Sequence, residues 1–331
     1  MQRIKSFEHT LYGINEANFD DIALELFRWQ AKHNPVYRQY LTHLGVVPAR
    51  VSAVTNIPFL PISFFKYHAV RTGEWIPETT FLSSGTTGDQ ISRHDVKDLQ
   101  FYLDHAHRTF CEFYGDPSQY HILALMPSYL ERSGSSLIAM VDYLIRKSNS
   151  TQSGFWRDQW DELIAHIRWL QQLNDGKKLL LWGVSFALLD LSDRQEIDLN
   201  DSIVMETGGM KGRREELTRE DLHRRLSDRL GVQNIHSEYG MTELLSQAYS
   251  VANGYFKASA WMKVVVRDIN DPFSVVERGK TGTINVIDLG NAHTCSFIET
   301  QDLGRLSQDG SFEVLGRLDN SDRRGCNLLV E

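Results

Sequence analysis

The 331-residue chain is long enough for one large domain or two moderate ones, and 41% hydrophobic with 24% charged residues is ordinary for a globular protein. A net charge of −8 leaves no basic excess to neutralise phosphates, which excludes a general nucleic-acid binder. No apolar run approaches the roughly twenty residues of a membrane span, the start "MQRIKSFEHTLYG" lacks a signal-peptide core, and three cysteines make no disulfide framework. The expectation is a cytoplasmic protein without nucleic-acid or membrane partners.

In chain order, residues 1–57 read as a helical lead-in. Next comes "FLSSGTTGDQ", in which Ser83, Ser84, Gly85, Thr86, Thr87 and Gly88 follow two apolar residues. Such a run cannot fill a core and makes a poor helix. It reads either as a loop of turn formers or as a phosphate cradle, its glycines letting backbone N–H groups approach an anion and its hydroxyls adding donors. The lysine-bearing loop G-x-x-x-x-G-K-[ST] is absent, so a triphosphate held here would rest on hydroxyls, backbone and a metal ion. Helical spacing then recurs over Asp98–Gly115 (Leu99, Tyr102, Leu103, Ala106, Phe110, Phe113), from Trp156 through Trp160, Leu163, Ile164 and Ile167 to Leu170, and over Leu217–Gly231. The short apolar runs between them, His121–Met126, Lys178–Val184 and Ser202–Thr207, suit buried strands. Strands alternating with helices predict an α/β core over residues 58–255. The Gly208-Gly209 pair of "ETGGMKG" ends the third of these strands, a usual ligand position in open α/β sheets. Lys211 to Arg214 read as a solvated basic loop. Residues 256–331 hold strand-like stretches separated by Gly and Asp turns, and predict a β-rich part that packs on the core and ends in a mobile, Cys326-bearing tail.

The order of "SSGTTG", "GG", "YGMTE", "TQDLGR" and "GRLD" resembles the adenylate-forming superfamily of acyl-CoA synthetases, luciferases and peptide-synthetase adenylation domains, from about Pro58 onward. The short length, the lead-in "PFLPISFFK" and the ending "DRRGCNLLVE" resemble the acyl-protein synthetase component of bacterial luminescence fatty-acid reductases. The resemblance implies an α/β fold, the large N-terminal-type domain of these enzymes with mixed sheets and a β-rich C-terminal part. It implies ATP and Mg²⁺ as cofactors, and a carboxylic, fatty acid activated as an acyl-adenylate with release of pyrophosphate. Ser83 to Gly88 then belong to the outer phosphates, chiefly through Ser84, Thr86 and Thr87, while Thr242 meets the α-phosphate. Glu243 holds Mg²⁺, a hard cation that prefers oxygen. Gly208, Gly209 and Tyr239 line the adenine slot, Asp302 accepts from the ribose hydroxyls, and Arg317 reaches the ribose or phosphate edge. Each has an ordinary reading too: Tyr239 as core, Asp302 as a turn residue before Gly304, Arg317 as a solvated strand residue.

Superfamily members usually continue past "GRxD" into a lid of about a hundred residues that carries an adenylation lysine and a CoA-admitting face; this sequence is expected to lack it. Members of the narrower family are also short and load a cysteine of their own, and Cys326 stands in that position. A lone cysteine is ordinarily a small buried hydrophobe. An extended "DRRGC" segment, however, puts Arg324 and Cys326 on one side, where the guanidinium favours the thiolate. Cys111, inside a helix pattern beside Phe110 and Phe113, reads as core, and Cys295 as structural. "MPSYLERSGSSLIAMVDYLI" (Met126–Ile145) suits an acyl tunnel or simply a core helix. The leading expectation is an acyl-protein synthetase that hands its acyl group to a reductase or transferase. A CoA ligase of the phenylacetate-CoA ligase kind and a non-catalytic nucleotide- or acyl-binding module are the alternatives.

Overall fold

The computed structural model describes residues 11–83, 90–127, 134–210, 214 and 217–318. Helix α1 (Phe19–His33) turns Phe19, Ala23, Leu26, Phe27 and Ala31 inward, with Asp20 and Asp21 in its first turn and Lys32 and His33 in its last, where the helix dipole favours them. Asn34 ends α1 and caps α2 (Pro35–His43): its Oδ1 accepts from the Tyr37 N–H at 3.0 Å, and Pro35 occupies a first-turn position that needs no N–H. Strand β1 (Leu60–Pro61) and the single-turn α3 (Phe64–Tyr67) follow. The antiparallel pair β2 (Thr79–Leu82) and β3 (Arg93–Val96) then flanks the Ser/Gly/Thr run.

Next comes the alternating core. Helix α4 (Leu99–Tyr114) starts on the Asp98 cap and leads into β4 (Tyr120–Leu125), α5 (Ser136–Lys147) and β5 (Gly154–Trp156). Then come α6 (Trp160–Gln172), β6 (Lys178–Val184), α7 (Ser185–Arg194), β7 (Ile203–Thr207), α8 (Arg219–Leu230) and β8 (Ile235–Tyr239). The five strands are parallel, in the spatial order β5-β4-β6-β7-β8. Side chains alternate between the two faces. Leu123, Leu125, Leu179, Leu181 and Val204 meet α6, α7 and α8; Ile122, Ala124, Leu180, Trp182 and Met205 meet α4 and α5. Each such fully buried side chain contributes roughly 1.5–3 kcal/mol, which is why both faces are covered by helices.

The rest is antiparallel: β9 (Ala248–Ser250), β10 (Tyr255–Ala258), β11 (Met262–Arg267), β12 (Gly282–Asp288), β13 (Phe297–Leu306) and β14 (Phe312–Arg317). Strand β10 joins the two halves, since Lys257 and Ala258 pair with β9 while Tyr255 and Phe256 pair with β14. Among the described residues these strands form one 12-stranded sheet, in which β1, beside β13, is the twelfth strand. Helices α1 and α2 pack on this antiparallel half, Phe27 and Tyr37 lying against Phe297. Among the described residues no helix is long and apolar enough to cross a membrane.

Two sequence readings change. Trp156, expected in a helix, is the last residue of β5 and pairs with Leu125, so α6 begins only at Trp160. The helical spacing ran one turn too far because a short strand left two tryptophans at a helix-like interval. Arg214, expected in a solvated loop, is ion-paired with Asp190 and, at 2.8 Å, with Asp193 of α7.

The segment after β8 is fixed by a carboxylate on the far half of the sheet. Asp288, fully buried at the end of β12, accepts from the Leu245 and Ser246 N–H groups at 2.7 and 3.0 Å, the Ser246 hydroxyl at 2.6 Å and the Gly290 N–H at 3.0 Å. Removing it would leave buried donors unpaired. Asp288→Ala is expected to lower the unfolding free energy by about 3 kcal/mol or more in urea titrations, whereas a loss under about 1 kcal/mol would mean that water replaces the carboxylate.

Candidate active site

Open α/β sheets bind ligands beyond the carboxyl ends of their strands, and the predicted residues fall at those ends here. Gly208 follows β7 with φ +71°, a left-handed conformation that a side chain would strain, and its carbonyl accepts from the Ser185 hydroxyl at 3.1 Å. A Cβ on Gly209 would meet open space, so its freedom reflects no crowding by the protein. Because Thr207 and Glu238 are register partners, the Gly-Gly turn lies beside Tyr239 at the end of the neighbouring strand.

Tyr239 is buried against Phe256 and Phe312, and its hydroxyl donates to Asp302 Oδ2 at 2.8 Å. Asp302 lies inside β13 and not in a turn, opposite Arg317 of β14, whose Nε is 3.3 Å from its other oxygen. Burial raises the Asp302 carboxyl pKa, against the opposing pull of Arg317 and Tyr239. Three motifs far apart in sequence thus meet through one carboxylate. Arg317 remains 68% exposed on its side chain and so is free to reach beyond Asp302.

Thr242 and Glu243 come next. Glu243 is 5% exposed; burial raises its carboxyl pKa, while the neighbouring Ser92 side chain and the charges of Arg317 and Lys66 pull it down. Ser92 donates its N–H to Ser83 Oγ at 3.0 Å, and the Ser83 N–H donates to the Ser92 carbonyl at 3.1 Å. The base of the β2–β3 hairpin is therefore closed by a reciprocal pair of bonds. Ser84, Gly85, Thr86, Thr87 and Gly88 lie outside the described residues, as does Cys326. Among the described residues no three His, Cys, Asp or Glu side chains cluster as a metal cage. A lone, buried carboxylate with hydroxyls nearby still suits Mg²⁺, which keeps several waters and takes phosphate oxygens as ligands. Glu243 with substrate phosphates would hold such an ion, and the ion would neutralise phosphate charge.

Cys295 is fully buried, its thiol pushed up to about 12 by burial, as a structural cysteine requires. Cys111, expected in the core, is only half-buried at the edge of α4, its sulfur 3.6 Å from His107 Nε2. Met140, Val141 and Leu144 of α5 pack against α4 and the sheet, so this part of the suggested acyl segment is core-facing.

Sequence reasoning missed the carboxyls directly behind the site. Glu206, on the α8 face, is 3.0 Å from Arg219 Nη1 and accepts from Ser185 Oγ at 2.9 Å; burial pushes its pKa up, but Arg219 and His223 hold it below the usual range. Glu238, on the α4 face, accepts from Thr207 Oγ1 at 2.5 Å and stands opposite Tyr249 of β9. A Cβ on Gly240 would run into its Oε1, so the Glu238 carboxylate would have to shift. Burial, with the nearby Glu206 charge, pushes Glu238 up to about 7. The "SE" before "YG" was the available signal: two successive strand residues pointing to opposite faces, one of them acidic in a sheet covered on both sides.

Compared with known proteins, the chain matches over residues 11–331 the family described as "Acyl-protein synthetase, LuxE". It belongs to that family. No curated protein matches its sequence. The fold of this family member is similar to 2-hydroxyisobutyryl-CoA ligase (HCL) in an open conformation with 2-HIB-AMP and CoA: TM-score 0.66, 12% identity, 93% of this chain and 72% of that one. It is also similar to ATP-bound MatB from Rhodopseudomonas palustris, with TM-score 0.53, 17% identity and 72% of this chain covered. The chain spans about half, 47%, of the MatB chain. The architecture is the predicted one, that of the large N-terminal domain of adenylate-forming enzymes.

Glu238 makes stability pH-dependent. Its pKa is about 7 in the fold and near 4.5 in the unfolded chain, so the folded state retains a proton that the unfolded chain gives up between those values. This contribution is full below about pH 4.5 and is lost as pH rises through 7. Glu238→Gln keeps a carbonyl acceptor for Thr207 and removes the titration. Relative to wild type it is expected to gain, on the order of 2–3 kcal/mol, between about pH 5 and pH 8 in urea unfolding; parallel pH profiles for the two proteins would contradict this.

Proposed function

We propose that the chain is an ATP-dependent acyl-protein synthetase that activates a carboxylic acid, of the fatty-acid class, and loads the acyl group on Cys326 for delivery to a partner reductase or transferase. The observation that carries this reading is the convergence of Tyr239, Asp302 and Arg317 with the Thr242–Glu243 loop at the strand ends, in a chain of the acyl-protein synthetase family. In the first step a carboxylate oxygen attacks the α-phosphorus of ATP; the bond to the β-phosphate oxygen breaks, leaving acyl-AMP and pyrophosphate. Two anions must approach, so alignment and charge neutralisation dominate the barrier. Tyr239 and the Gly208-Gly209 turn form the base slot, and Asp302 accepts from the ribose. Arg317 lies at the ribose or phosphate edge, Thr242 faces the α-phosphate, and Glu243 would hold Mg²⁺, which would offset the charge. The run from Ser83 to Gly88 serves the outer phosphates. ATP as the nucleotide is supported by the ATP-bound MatB structure of similar fold.

In the second step the Cys326 thiolate attacks the acyl carbon, the bond to the AMP oxygen breaks, and a thioester and AMP result. The eight Cα–Cα steps from Leu318 to Cys326 reach at most roughly 28 Å, ample for a thiol that starts from the Arg317 end of β14. Likeness to a CoA ligase favours a second reading, in which CoA takes the acyl group directly.

Incubation with ATP, Mg²⁺ and a panel of carboxylic acids, followed by intact mass, distinguishes these. Wild type should gain one acyl mass that hydroxylamine removes. Cys326→Ser should keep pyrophosphate exchange and lose the label, because an alcohol ionises far less readily than a thiol. Equal labelling of both proteins, or acyl transfer that needs CoA and leaves the protein unlabelled, would refute the acyl-cysteine step.

Asp302→Ala should weaken ATP binding, measured by calorimetry, by roughly 1–3 kcal/mol, the cost of leaving ribose donors without a charged acceptor. Wild-type affinity in a folded variant would reduce Asp302 to a structural partner of Tyr239.

A further inference from the structure

His94 belongs to none of the motifs above, yet it sits where three segments around the nucleotide side of the site meet. It lies on β3, 1% exposed, with its ring edge-on to Phe65 at 5.5 Å. Nδ1 is 2.7 Å from the Thr242 carbonyl oxygen and Nε2 is 3.1 Å from Thr294 Oγ1. A carbonyl oxygen only accepts, so Nδ1 carries the proton; the neutral ring then accepts at Nε2 from the Thr294 hydroxyl. Burial keeps the ring neutral by lowering its pKa, although the bond to Thr242 pulls the other way. Thr294 is itself anchored, its carbonyl accepting from Asn34 Nδ2 at 2.9 Å and from Thr72 Oγ1 at 2.5 Å. The imidazole is thus fixed from behind by the segment that holds α1 and α2, and it points one N–H at the loop after β8.

That N–H acts on a consequential atom. The Thr242 carbonyl belongs to the planar peptide unit that joins Thr242 to Glu243, so fixing the oxygen fixes the plane from which the Glu243 backbone departs. Asn291 Nδ2 holds the following carbonyl, that of Glu243, at 2.8 Å. Of these two restraints only His94 acts on the Thr242 side, and it does so from the hairpin strand itself.

We propose that His94 is a positioning residue for adenylation: it locks the Thr242–Glu243 peptide against the β2–β3 hairpin, so that the Thr242 and Glu243 side chains are aligned before nucleotide arrives. This rests on the adenylation reading for its catalytic consequence, while the locking itself is a property of the unliganded protein. The two ring nitrogens have different amide mimics, which gives a sharp test. Asparagine places its N–H₂ near Nδ1 and keeps the donor to Thr242. Glutamine reaches the Nε2 position, so it meets Thr294 and abandons Thr242.

The experiment combines hydrogen exchange at residues 241–245 of the unliganded protein with steady-state ATP–pyrophosphate exchange and thermal melting. His94→Gln is expected to speed exchange of those amides and lower kcat about tenfold, with KM for the carboxylic acid unchanged; His94→Asn should stay within about threefold of wild type. Thr294→Val, which keeps the ring but removes the hydroxyl that orients it, should loosen the same amides, and serves if His94→Gln does not fold. A merely structural histidine would lower the melting temperature in both amide variants and leave kcat per folded molecule unmoved. Wild-type amide exchange at 241–245 in His94→Gln and Thr294→Val, or an Asn variant as impaired as the Gln variant, overturns the proposal. If wild type shows no ATP-dependent pyrophosphate exchange with any acid, the adenylation reading fails, and the amide exchange still decides whether His94 locks the loop.

Discussion

The loop that follows β8 has to present polar groups at the mouth of a sheet whose faces are buried in hydrocarbon, and its backbone donors must find acceptors without water. Asp288 resolves this from a distance. One carboxylate from the antiparallel half gathers the Leu245 and Ser246 amides and the Ser246 hydroxyl, so the polypeptide leaving Glu243 has one available course. Ser246 is in turn held by His105 Nε2 at 2.8 Å, which ties α4 to the same point. The parallel half supplies the site's floor and the antiparallel half fixes its exit.

The electrostatics at the strand ends follow from crowding of acids in low dielectric. Glu206 and Glu238 sit on successive strands and opposite faces, and both are buried. They are accommodated differently: Glu206 stays charged because Arg219 is 3.0 Å away, whereas Glu238 is held by the Thr207 hydroxyl and is pushed towards its neutral form. Asp302 stands between these cases, buried like Glu238 but facing a half-free arginine like Glu206. A cationic edge therefore remains available beside a carboxylate that already has an aromatic hydroxyl as donor.

Much of this was legible in the sequence where one local pattern determines the outcome. Leu222, Leu226 and Leu230 mark the buried stripe of α8, and the run around Lys178–Val184 is β6 as read. The order of the short motifs also located Gly208, Tyr239, Glu243, Asp302 and Arg317 at one end of the sheet. What stayed hidden depends on pairing across long separations. Trp156 looked helical because its neighbour across the sheet, Leu125, is invisible in a linear reading. The ordinary alternative for Asp302, a turn residue, does not hold, because the glycine after next, Gly304, sits at a register shift within a strand and not at a chain reversal. The contacts that give His94 and Asp288 their importance to the loop after β8 have no local signal, since they are made to atoms about 150 and 43 residues away.

Strand β10 has a mechanical consequence. Four residues serve both halves of the sheet, the first two bonded to β14 and the last two to β9, so the β-ladder runs without interruption from the parallel strands to Asp302 and Arg317. Two walls carried on separate lobes can swing apart about a linker, and such a slot trades rigidity for access. Here Tyr239 and Asp302 are carried by one continuous ladder, and separating them would require tearing main-chain bonds. Entry and exit of a ligand must therefore be governed by the segments that border the sheet's edge, while the slot itself behaves as a rigid gauge for whatever it admits.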